Sequence, residues 1–173
     1  SAEVRFIRAL NYYYLLDEWG NVPFTTAISS TKPPRIKRAD LYKWLVGELK
    51  EIEQGLNEPQ PKVSSTQGYG RVDKAAAWLL LARLYMNAEV YTGTADWTDA
   101  KTYAKKVIDS PYKLYTAKKG QWSAYQQLFM GDNGENGSSV EAIFPILQDG
   151  KKTTSWGTTL FLMAGCNDNK ERV

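Results

Sequence analysis

Asp73-Lys74-Ala75-Ala76-Ala77-Trp78-Leu79-Leu80-Leu81-Ala82-Arg83-Leu84-Tyr85 is the stretch from which the architecture can be read. Ala and Leu are the strongest helix formers, because they lose little side-chain freedom in a helix. Asp73 supplies a carboxylate that can accept from the free amides of a first turn, and so reads as an N-cap. Apolar residues cover almost the whole circumference of this helix. A helix of that kind has to be surrounded by others, so it is predicted to be central and to run to residue 91.

The spacing Trp78-x2-Leu81-Ala82-x2-Tyr85 matches the W-x2-L-G-x2-Y opening of a tetratricopeptide repeat, with Ala in place of Gly. Small Ala82 lets a paired helix approach, and Trp78 and Tyr85 fill the space around it. The next helix, residues 97–109, is capped by Asp96, turns Ala100, Ala104, Val107 and Ile108 inward, and is closed by Pro111. Its Ala100-x3-Ala104 is the second half of the repeat, with an insertion in the turn over residues 91–96.

Upstream, residues 3–18 carry Phe6, Leu10, Tyr13 and Leu16 at helical spacing and stop at Gly20 and Pro23. Arg8-Ala9-x2-Tyr12 is a weak echo of the same motif. After a loop over residues 23–36, a second helix over residues 37–54 bears the stripe Leu41, Leu45, Leu49, Ile52 and, just beyond it, Leu56. A Pro- and Ser-rich loop spans residues 58–70. Downstream come a short helical piece at 122–129, a turn-rich segment at 131–137 and an apolar run at 140–147. That run suits a strand, which Pro145 confines to an edge or an end. Residues 149–173 show no period. The expected fold is all-α, with tetratricopeptide-like stacked helix pairs and a small irregular or β appendage at the C-terminal end. The units are residues 1–130 and 131–173. Two pairs are fewer than the roughly three such an array needs to stand alone, and a generic helical bundle is the competing reading.

Composition removes many chemistries. The 173 residues include no His and one Cys. No Ser-His-Asp or Cys-His machinery and no His-ligated zinc can be assembled, and Cys166 has no internal disulfide partner. A net charge of +3 is too small to argue for nucleic acid. The longest wholly apolar run, residues 75–82, is far short of a bilayer span. No phosphate-binding glycine loop is present, and no cofactor is expected. No secretory signal is visible. The first residues read as the inside of a helix, so the chain is expected to begin within a longer protein.

Few residues suggest chemistry. Glu48, Glu51 and Glu53 are expected on a solvated helix face, and the basic run at 32–38 in a solvated loop. Asp132-Asn133-Gly134-Glu135-Asn136 is rich in oxygen ligands, which makes Asp132 and Asn133 calcium candidates, although the alternating acids of an EF-hand are missing and a plain turn is the competing reading. Asn136-Gly137-Ser138 is formally an N-glycosylation acceptor. Among six Trp and eleven Tyr, Trp44, Trp78, Trp97 and Tyr85 are expected in the core. Trp156 stands apart in a polar loop without apolar period. Its ring suits the C–H face of a sugar, and folding back onto the core is an equal alternative.

The run Arg5-Phe-Ile-Arg-Ala-Leu-Asn-Tyr-Tyr-Tyr-Leu-Leu-Asp-Glu-Trp-Gly20 with Val22-Pro-Phe24 resembles the first repeat helix of the SusD/RagB family. The likeness continues through Gly70 to Tyr85, then in Ala88-Glu-Val-Tyr-Thr-Gly93, Tyr103-Ala-Lys-Lys-Val-Ile108, Leu128-Phe-Met-Gly-Asp-Asn133 and Pro145-Ile-Leu-Gln-Asp-Gly150. It is particularly close to the family's starch-binding member.

The resemblance implies a non-catalytic outer-membrane lipoprotein of Bacteroidetes, exposed at the cell surface. Such a protein captures oligosaccharides and passes them to a SusC-like TonB-dependent transporter. It meets the membrane only through a lipid anchor, absent from this chain. Starch or a malto-oligosaccharide is the implied ligand. In the starch-binding member an aromatic residue shortly after the Gln-Asp-Gly segment stacks on the glycan, and Trp156 holds that position. The acidic turn resembles one that helps hold calcium there, with Gly134 where that turn has an acid. The alternative function is a tetratricopeptide-type scaffold that binds a protein or peptide on its concave face.

Overall fold

Asp73 caps the central helix: its Oδ1 accepts from the amides of Ala75 and Ala76 at 3.0 and 3.4 Å. The computed structural model describes residues 1–148 and 153. The helices are α1 (Ala2–Trp19), α2 (Arg38–Ile52), α3 (Lys74–Met86), α4 (Ala88–Thr92), α5 (Trp97–Ile108) and α6 (Ala124–Gln127). Among the described residues the only ladder is a two-residue antiparallel pair, β1 (Val22–Pro23) on β2 (Arg35–Ile36), which closes the base of the long loop between α1 and α2. The molecule is thus mostly α with a small β element.

α1 packs on α2 and α3 packs on α5, while α2 also touches α3 and α4 and so joins the two pairs. The core follows the sequence periods. α1 buries Phe6, Ala9, Tyr13 and Leu16; α2 buries Leu41, Leu45, Leu49 and Ile52. α3 buries eight of its residues, among them Ala75, Ala77, Leu81 and Leu84, and is central as expected. Burying each such Leu contributes about 1.5–3 kcal/mol.

Tertiary contacts alter several local expectations. The single helix expected to reach residue 91 is broken at Asn87, which has φ −101° and ψ 12° and leaves α4 as a separate piece ending at left-handed Gly93. Trp97 and Ile108, the two terminal residues of α5, are exposed rather than inward. Residues 140–147 form no strand. A 3-10 turn at Ser138–Glu141 opens the segment, and side chains hold the remainder. Of the three glutamates expected in solvent, only Glu51 fits. Glu48 is 7% exposed and is gripped by Arg5 and Arg8. Glu53 is half-buried and accepts from Trp78 Nε1 at 2.7 Å and Lys106 Nζ at 3.1 Å.

Candidate functional site

The oxygen-rich turn at 131–137 spends its polar groups on its own folding. The Asp132 carbonyl accepts from the amides of Glu135 (2.8 Å) and Asn136 (2.9 Å). Its Oδ1 accepts from Asn136 Nδ2 at 3.2 Å. Asn133 Nδ2 donates to the Leu128 carbonyl at 2.9 Å. Asn136 Nδ2 and Ser138 Oγ both donate to the carbonyl of Gln127. The Gln127 side chain is buried and donates to the carbonyls of Ala117 and Ser123, while Tyr115 donates to its Oε1. The turn is therefore pinned to the end of α6. Asp132 and Asn133 are neighbours and both exposed. Among the described residues no group of three or more His, Cys, Asp or Glu gathers at one point.

Trp156 lies outside the described residues. The chain leading to it is described as far as residue 148, and it is clamped on three sides. Phe144 packs edge-on against Phe6, with ring centroids 5.6 Å apart. Tyr112 Oη reaches the Ile143 carbonyl at 3.5 Å and donates to Asp73 Oδ2 at 2.7 Å. Leu147 lies over Gly70, where a Cβ would come within 2.9 Å of its Cδ1. Gly70 has φ +78°, a region that glycine enters freely. Asp73 is the hub, because the same Oδ2 also accepts from Lys62 Nζ (3.4 Å) and the Gln60 amide (3.2 Å). Burial and the Asp73 carboxylate push the Tyr112 hydroxyl well above the usual phenol range.

Most of the remaining aromatic content is internal. Tyr85 stacks on Tyr103 with centroids 5.6 Å apart, and Tyr42 contacts Tyr85 and Tyr91. Trp44 meets Tyr12 and Phe24, and Trp78 is half-buried. Sequence reasoning singled out Trp156 and missed two features of the surface. Trp19 is 64% exposed at the end of α1. Tyr125 and Phe129 stand side by side, also exposed, with centroids 5.1 Å apart. The i, i+4 spacing of that second pair was the available signal.

Comparison with known proteins places this scaffold. No family model matches the chain. It is 47% identical over 165 residues to the starch-binding protein SusD of Bacteroides thetaiotaomicron, a match covering 95% of this chain and 28% of that protein. A SusD-like carbohydrate-binding protein from Bacteroides fragilis superposes with a TM-score of 0.59 at 25% identity, over 73% of this chain and 23% of that one. Surface glycan-binding protein A from Bacteroides thetaiotaomicron, solved in complex with laminarihexaose, superposes with a TM-score of 0.56 at 27% identity, over 83% of this chain and 27% of that one. The fold is thus the stacked-helix region of a class of carbohydrate-binding proteins. This chain belongs to the SusD-like family and spans 28% of the length of its SusD relative.

Proposed function

We propose that the protein is a non-catalytic glycan-binding protein of the bacterial cell surface that captures starch or malto-oligosaccharides. The observation that carries this reading is the 47% identity, along 95% of the chain, to a starch-binding protein. In this reading Trp156 presents its ring to the apolar face of the glucan, and neighbouring polar groups bond its hydroxyls. Contacts with Phe6, Gly70 and Tyr112 hold residues 143–147, which precede Trp156 in the chain. The captured glycan passes to a TonB-dependent SusC-like transporter, and the protein is held at the outer membrane by a lipid anchor.

Calorimetric titration with maltoheptaose and laminarihexaose tests ligand and site together. Saturable binding of maltoheptaose, weakened at least tenfold in Trp156→Ala, is the expected result. Preference for laminarihexaose overturns the starch assignment and keeps glycan capture. Binding unchanged by the substitution removes Trp156. Failure of both glycans sinks the reading in favour of a peptide-binding scaffold.

A further inference from the structure

A polar cleft of about 380 Å³ opens between the C-terminal end of α1, the first turn of α2 and α4. Asp17, Glu18, Trp19, Arg38, Asn87 and Tyr91 are among its lining residues. Its size falls within the range of small-ligand sites.

The walls are fixed by hydrogen bonds. The Gly20 amide donates to the Leu16 carbonyl at 3.0 Å, and the Asn21 amide to the Trp19 carbonyl at 2.8 Å. Asn21 Oδ1 accepts from the Arg38 amide at 2.8 Å, which ties the end of α1 to the start of α2. Buried Tyr91 donates to Asp17 Oδ1 at 2.6 Å. Gly20 has φ +71°, and the Arg38 stem crosses it so closely that a Cβ would lie 3.3 Å from Arg38 Cδ. The Arg38 side chain lines the cleft with its stem against Gly20, and among the described residues its guanidinium forms no ion pair.

The lining selects one kind of ligand. Arg38 and Asn87 donate, whereas Asp17 and Glu18 accept. A simple anion meets two carboxylates and a simple cation meets a guanidinium. An exposed indole beside them adds an apolar face. A neutral ring with hydroxyls around its edge and C–H groups on its face satisfies all of these groups at once. We propose that this cleft is a carbohydrate subsite, which takes a pyranose unit with Trp19 as the stacking face and Arg38 as the principal hydroxyl donor. The proposal rests on the reading of the protein as a glycan binder.

The test follows indole N–H resonances of the unmodified, ¹⁵N-labelled chain during titration with maltotriose and laminaritriose. Trp19→Phe and Trp156→Phe identify the two signals. The expected result is a saturable shift of the Trp19 signal. Arg38→Met keeps the stem over Gly20 and removes the donor, and should weaken that response about tenfold, as loss of a hydrogen bond to a charged group does. A shift at Trp19 with Trp156 stationary supports the cleft and removes Trp156 from the site. A shift at Trp156 with Trp19 stationary overturns the cleft and leaves the functional reading standing. No shift at either indole overturns both. A Trp19 response unchanged by Arg38→Met, with thermal unfolding preserved, overturns the role of Arg38.

Discussion

Gly70 shows how one atom constrains a surface. Its positive φ penalises any side chain, and the space its Cβ would need is occupied by Leu147. Gly70→Ala is expected to cost about 1–3 kcal/mol in urea unfolding. Leu147→Ala added to it should recover the steric part and leave the backbone part. Asp73 is a second such position, since one buried carboxylate serves as helix cap and as acceptor for Tyr112, Lys62 and the Gln60 amide. Tyr112→Phe removes one donor from that carboxylate and should destabilise by about 1–3 kcal/mol, measured the same way. The cap was legible, because an Asp before an Ala-rich run has a local meaning. Its other three partners were not, because the nearest in sequence is eleven residues away.

The α1–α2 pair is joined by charge as well as by leucines. Arg5 donates from Nε to Glu48 Oε1 at 2.9 Å and from Nη2 to Oε2 at 2.6 Å, a bidentate grip. Arg8 adds a third bond at 2.6 Å and lies over the Trp44 ring. The Arg5 guanidinium first, and Arg8 after it, hold the Glu48 carboxyl below the usual carboxylate range. Glu3 is lowered in the same way by Arg71. A depressed carboxyl stabilises the fold above its unfolded value, about 4.3. That stability is lost as pH falls through the lower folded value. The melting temperature should therefore be flat from pH 7 to 5 and drop below pH 4. Glu48→Gln should lower stability by about 1–3 kcal/mol at pH 7 and make the acid drop shallower, as seen in thermal scans at pH 7 and pH 3. α3 obeys its own periodicity more simply, and Leu81→Ala is expected to cost about 2–5 kcal/mol.

Across the molecule, two helix pairs joined through α2 form a scaffold, and the segment over residues 131–148 is strapped to its surface by Phe6, Gly70 and Tyr112. The glycan reading makes that scaffold a rigid base for contacts carried on loops and helix ends. If it is right, Gly70→Ala should weaken maltoheptaose binding severalfold at a temperature where the fold is intact, since it displaces Leu147, nine residues before Trp156 in the chain. Calorimetry on Gly70→Ala beside Trp156→Ala measures this. Equal affinities for Gly70→Ala and the unmodified protein would separate the clamp from the ligand.

The order of residues alone set the helices, their caps at Asp73 and Asp96, the apolar stripes of α1 and α2, and the central place of α3. Each of these depends on neighbours three or four positions apart. The resemblance in Gly70 to Tyr85 and the other quoted segments also lay open in the chain. The burial of Glu48, the break at Asn87, the missing strand at 140–147 and the cleft beside Trp19 came from the folded molecule. Their causes are groups far apart in the chain, such as Arg5 and Glu48, forty-three positions apart. No local period records which distant carboxylate a guanidinium will meet, or which leucine will come to rest on a glycine.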